Sequence, residues 1–141
     1  MKTEFLTILV ILAGVGQLVL VLASAAIPAC LNWGKHLITL PKLMRQLFWT
    51  YGCYILAMHL FFGIISTWGY GLLLDGSPHA AILCALMAAW WLVRISLQLF
   101  CFDRKGIPKT PFNTLAEVGL MVLFIYLATT YSLAVYHNLR L

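Results

Sequence analysis

Four apolar runs, separated by short polar or turn-forming stretches, constrain this chain more than any other feature. They lie at about residues 5–27, 46–68, 80–100 and 112–136. A bilayer core is about 30 Å thick and a helix needs about 20 apolar residues to cross it. Each run meets that length. Water is absent from the hydrocarbon, so backbone N–H and C=O groups must pair within the segment, which a helix achieves. The expected fold is therefore all-α, a four-helix transmembrane bundle forming a single domain over residues 1–141. Little chain remains for a soluble domain.

Composition agrees with this. Of 141 residues, 63% are hydrophobic and 9% charged, against roughly 25% charged in soluble domains. The mean hydropathy is +0.97. The net charge of +5 would suggest nucleic acid in a soluble protein. Here the basic residues flank apolar runs, so orientation bias and attraction to anionic headgroups account for them. No nucleic-acid partner is expected; the lipid bilayer is.

Breakers mark the connections. Pro28 is expected to stop the first helix. Ala23-Ser24-Ala25 looks like a signal-peptide cleavage site, but the run is longer than the 7–15 residues of a signal core, and a retained helix is expected. Residues 29–45 mix Trp33, Lys35, His36, Lys42 and Arg45 with Leu31, Leu37, Ile38 and Leu40. That mixture suits a short interfacial segment between helices one and two. Pro41 is placed to open the second helix. Asp75-Gly76-Ser77-Pro78 is a turn cluster, and residues 103–109 form a polar loop.

Lys35, Lys42 and Arg45 fall in the first loop; Arg104, Lys105 and Lys109 fall in the third. The other side has Lys2 and Arg140. The positive-inside rule puts loops one and three in the cytoplasm and both termini outside, in a plasma membrane.

Polar groups inside spans are costly and mark the residues worth following. The candidate intramembrane polar site is His59, Arg94, Gln98 and Glu117. Arg94 and Gln98 share a helix face with Trp90 and Cys101. Helices three and four should be antiparallel neighbours, so Arg94 and Glu117 are expected to pair as a clamp, or to form a site for a headgroup, an anion or a proton. His59 shares a stripe with Gly52, Ile55, Leu56, Phe62, Gly63 and Ser66. Small residues let helices approach closely, so Gly14, Gln17, Gly52, Gly63 and Ser66 are expected at helix contacts.

No cofactor or metal is expected. Bis-histidine haem would need a second His at the depth of His59, and His36, His79 and His137 lie toward the ends. A metal needs clustered ligands. Cys30, Cys53, Cys84 and Cys101 contain no CxxC pair, and no structural disulfide is expected. Nucleotide, metalloprotease and nucleophile-elbow motifs are absent, which points away from an enzyme. The leading expectation is a small accessory or assembly subunit, partnered with another membrane protein or with itself. The alternatives are a lipid- or isoprenoid-binding or -modifying protein, and a homo-oligomeric transporter or channel.

Overall fold

The computed structural model describes residues 3–101 and 110–140. The polar loop at 103–109 lies outside the described residues, as does Lys2. The described chain is all helical: α1 (Thr3–Cys30), α2 (Trp33–Leu37), α3 (Lys42–Trp68), α4 (Tyr70–Leu73), α5 (Pro78–Phe100) and α6 (Pro111–Asn138). Four of these, α1, α3, α5 and α6, are long and apolar enough to cross a membrane. The protein is a multi-pass, four-helix membrane bundle.

Helix ends follow local chemistry. Ser77 caps α5 by accepting from Ala80 N–H at 3.1 Å, with Pro78 in the first turn. Thr110 caps α6 by accepting from Asn113 N–H at 3.2 Å, with Pro111 next. A proline N–H would be unsatisfied there in any case, so its absence costs nothing.

Two boundaries differ from the sequence expectation. Pro28 does not stop α1, which continues to Cys30. A proline one turn from a helix end breaks only the last intrahelical bonds, and Leu31 N–H still reaches Ile27 O at 2.9 Å. The stop comes at Asn32, which is left-handed at φ 49°, a conformation Asn tolerates better than most residues. Pro41 does open α3, at its N-cap, its carbonyl accepting from Arg45 N–H at 3.1 Å, but the helix starts at Lys42, four residues before the apolar run expected from 46. The connection that holds the turn cluster at 75–78 also holds the single helical turn α4.

The bundle is two antiparallel pairs. α1 packs along α3, α5 along α6, and the pairs join through α1 and α6. Gly14 and Gly63 set the α1–α3 spacing. A Cβ on Gly14 would lie 2.4 Å from Thr67 Oγ1 and 2.7 Å from Thr67 N; one on Gly63 would lie 2.8 Å from a Leu18 methyl. Between α5 and α6 the core is larger: Cys84, Met87, Trp91, Phe124, Leu127, Tyr131 and Ala134 are buried. α3 and α5 make no contact comparable to these pairs, and a cleft separates them.

Candidate functional site: a lateral apolar cleft

The cleft has a volume of about 720 Å³ and lies toward the end of the bundle that carries the α1–α3 connection. Ser24, Ala25, Ile27 and Pro28 of α1 contribute to its wall, and Trp33 of α2 adds an aromatic ring. Phe48, Trp49, Gly52, Cys53, Ile55, Leu56 and His59 line it from α3; Leu86, Ala89, Trp90, Val93, Arg94 and Leu97 line it from α5. Ile55, Leu86 and Val93 are each about half exposed, so the cleft opens sideways, where lipid surrounds the spans.

Sequence explains both walls. On α3, Gly52, Ile55, Leu56 and His59 recur at three- and four-residue spacing, one helix face. On α5, Leu86, Ala89, Trp90, Val93, Arg94 and Leu97 do the same. Gly52 is not at a helix contact of the Gly14 kind: nothing lies within 4 Å of where its Cβ would be. Its missing side chain leaves room in the cleft.

One end of the cleft is aromatic. Trp33 and Phe48 meet edge to face with centroids 4.9 Å apart, and Trp49 lies 6.1 Å from Trp33. Tryptophan favours the headgroup level, where an apolar ring and a polar N–H are both accommodated. Lys35 and Lys42, nearby in the chain, are exposed.

The deep end is built around His59. Its Nε2 accepts from the Trp90 indole N–H at 3.3 Å. Its ring stacks on Trp91 at 5.0 Å and 18°, and Trp91 stacks in turn on Phe124 at 5.4 Å and 25°. The Arg94 guanidinium lies over the same Phe124 ring, 5.3 Å from its centroid, within cation–π range. His59, Trp91, Phe124 and Arg94 thus form one continuous stack across α3, α5 and α6.

The structure brings His59 and Arg94 to one cleft, His59 on its α3 wall and Arg94 on its α5 wall. Gln98 lies one turn beyond Arg94, and Glu117 lies in the second turn of α6; both have interaction partners, as does Arg94. Gln17 and Ser66 meet elsewhere, at the centre of the bundle. There the Tyr131 hydroxyl accepts from Gln17 Nε2 and lies 2.6 Å from Ser66 Oγ. Among the described residues, no three His, Cys, Asp or Glu side chains form a group suited to a metal ion. All four cysteines are free, and Cys84 alone is buried.

Three contributors were missed from sequence. Tyr131 is one. Asn138 is another: its Nδ2 donates to Leu73 O at 2.7 Å and its Oδ1 accepts from Gly76 N–H at 3.0 Å, tying the end of α6 to the α4–α5 connection. Tyr126 is the third, its hydroxyl donating to Leu9 O at 2.8 Å. The signal available was the polar run Thr129-Thr130-Tyr131-Ser132 inside an apolar span. Comparison with protein-family models, with curated proteins and with solved structures finds no match for this chain.

Proposed function

We propose that this multi-pass membrane protein binds a lipid, admitting one hydrocarbon chain of a bilayer amphiphile into the cleft between α3 and α5. The observation that carries the reading is the cleft itself, about 720 Å³. Small-molecule sites typically span about 300–1,000 Å³, with mostly apolar walls and a few placed polar groups. This cleft has those walls, with His59 and Arg94 as the charged or ionisable groups. Its side opening lets a chain enter from the bilayer without crossing water. In this reading the basic first and third loops face the cytoplasm of a plasma membrane, and the Trp33–Phe48–Trp49 cluster meets the headgroups.

The test is native mass spectrometry of protein extracted in mild detergent, comparing wild type with Gly52→Phe. Open space around Gly52 lets the new ring enter the cleft without disturbing helix packing. A small mass retained by wild type and lost from the variant supports lipid binding. Equal retention by both removes it.

A second reading, an accessory subunit, is favoured by α3. Only 17% of its most apolar window is buried, against 33% in each other span. Tyr51 and Tyr54 are 62% and 67% exposed, and a phenol facing lipid gains from a partner helix able to pair its hydroxyl. A second polypeptide at fixed stoichiometry in the same spectra, lost in Tyr54→Leu, would support it.

A further inference from the structure

The deep end of the cleft has hydrogen-bonding capacity left over. An indole N–H only donates, so in the Trp90–His59 bond the imidazole Nε2 is the acceptor. The neutral ring then carries its proton on Nδ1. That atom is buried and has no hydrogen-bond partner among the described residues, and His59 as a whole is 5% exposed. Trp91, stacked directly on His59, is fully buried, and its Nε1 also lacks a described partner. Two adjacent rings therefore hold donors without acceptors among the described residues; of the other buried polar atoms in that position, Gln17 Oε1 lies apart from the cleft, beside Tyr131. A buried unsatisfied donor is costly in hydrocarbon. His59 lines the cleft; because Nδ1 itself is covered, an incoming molecule supplies the missing oxygen only as the imidazole turns or its neighbours part.

Depth selects the kind of oxygen. His59 lies about 25 Å along α3 from Lys42 and about 14 Å short of Trp68, at 1.5 Å per residue. With a hydrocarbon core about 30 Å thick, that is inside the apolar layer. The ester carbonyls of an ordinary phospholipid are held at the interface by their charged headgroup. A carboxylate or phosphate at His59 would be an ion in hydrocarbon. Arg94, one turn nearer the α1–α3 end, is already engaged over Phe124. The acceptor that reaches His59 is therefore neutral and belongs to a molecule without a charged head.

We propose that the cleft takes a neutral, lipid-soluble carbonyl compound, a long-chain quinone being the representative, with a carbonyl oxygen accepting the Nδ1 proton of His59 and the apolar chain lying between α3 and α5. This rests on reading the cleft as a lipid-chain site. The rings of His59 and Trp90, perpendicular at 89°, give a flat headgroup one face to stack on and one edge to meet. Trp90 is the positioning residue, since its N–H fixes which imidazole nitrogen keeps the proton.

The experiment uses the whole protein in lipid nanodiscs. Tryptophan quenching measures binding of decylubiquinone, and displacement measures dodecylbenzene (no oxygen) and palmitate (anionic). Decylubiquinone should quench saturably and require at least about tenfold more dodecylbenzene to displace it. Loss of one hydrogen bond is worth about 0.5–1.5 kcal/mol, so His59→Phe should weaken the quinone roughly 2- to 12-fold and leave dodecylbenzene unchanged. In the wild type, the infrared carbonyl band of bound quinone should move to lower frequency. That measurement stands even where His59→Phe fails to accumulate.

An unshifted band, or equal quinone affinity in His59→Phe, overturns the carbonyl contact. Palmitate displacing quinone at equal concentration overturns the neutral-ligand assignment. Gly52→Phe separates the two levels. If it loses both apolar probes while His59→Phe loses neither, the chain site stands and the carbonyl inference falls. If it binds both like wild type, the cleft reading falls first.

Discussion

The Tyr131 hydroxyl lies 2.6 Å from Ser66 Oγ, joining α6 to α3 through the centre of the bundle. The same oxygen accepts from Gln17 Nε2 on α1. One phenol thus ties three spans in a region where Gln17, Ser66 and Tyr131 are at or near zero exposure. Tyr131→Phe keeps the ring and removes the oxygen. Leaving buried polar partners unpaired costs about 1–3 kcal/mol, while interhelical bonds in membranes average nearer 0.6. A loss of about 1–2 kcal/mol is expected in detergent unfolding. In a double-mutant cycle, Gln17→Leu added to Tyr131→Phe should cost less than the sum, because both remove one network. Strict additivity would mean the three groups do not act together.

Gly14 and Gly52 should respond oppositely to the same methyl. Gly14→Ala puts a Cβ 2.7 Å from a backbone nitrogen of α3, so α1 and α3 must separate. Overpacking of this kind costs about 1–3 kcal/mol. Gly52→Ala meets open space and should fall within about 0.5 kcal/mol of wild type, as surface changes do. Thermal melts of the two purified variants decide it; similar midpoints would contradict the close α1–α3 approach.

Asn138→Leu should loosen the far end of the bundle. It removes the acceptor for Gly76 N–H and the donor to Leu73 O. Amide exchange at Gly76 should speed up, while that in the middle of α5, around Ala88, stays slow. Unchanged exchange at Gly76 would show that this turn is held by other contacts.

Asp75 gives a pH dependence. Ser77, through its side chain and its backbone N–H at 2.8 Å, holds the carboxyl below its ordinary range. A depressed folded-state pKa stabilises the fold above the unfolded value, and that contribution is lost as pH falls through the folded one. Wild type should therefore lose stability in acid more steeply than Asp75→Asn, with the curves parallel at neutral pH. The effect is small because the group is fully exposed. Identical acid slopes would show that the turn does not depend on this carboxylate.

Arg94→Ala should lower accumulation in the membrane more than Leu97→Ala. Arg94 caps the His59–Trp91–Phe124 stack, whereas Leu97 is 40% exposed at the cleft wall. Quantitative immunoblots of membranes make the comparison, and equal levels would mean that the guanidinium anchors nothing.

The spans and their caps were legible because hydropathy and turn chemistry are local. Ser77-Pro78 names the start of α5 from two residues, and an uninterrupted apolar run can satisfy its backbone only as a helix. Pro28 was misjudged because a proline's effect depends on how many helical bonds remain beyond it, and here few do. His59 and Arg94 stood out as ionisable groups in apolar runs. Tyr131 did not, because a phenol is tolerated in a span and only its neighbours reveal what it pairs with.

The sequence by itself determined that this protein is a membrane-embedded bundle of four long helices, since bilayer thickness and backbone pairing leave no other state for such runs. Only the tertiary structure decided that α1 pairs with α3 and α5 with α6, that Gly52 faces a cleft while Gly14 faces a helix, and that His59 meets Trp90 and Trp91. Lipid is as apolar as leucine, so hydropathy cannot choose which faces meet. That choice falls to close packing at glycines and to hydrogen bonds between residues far apart in the chain.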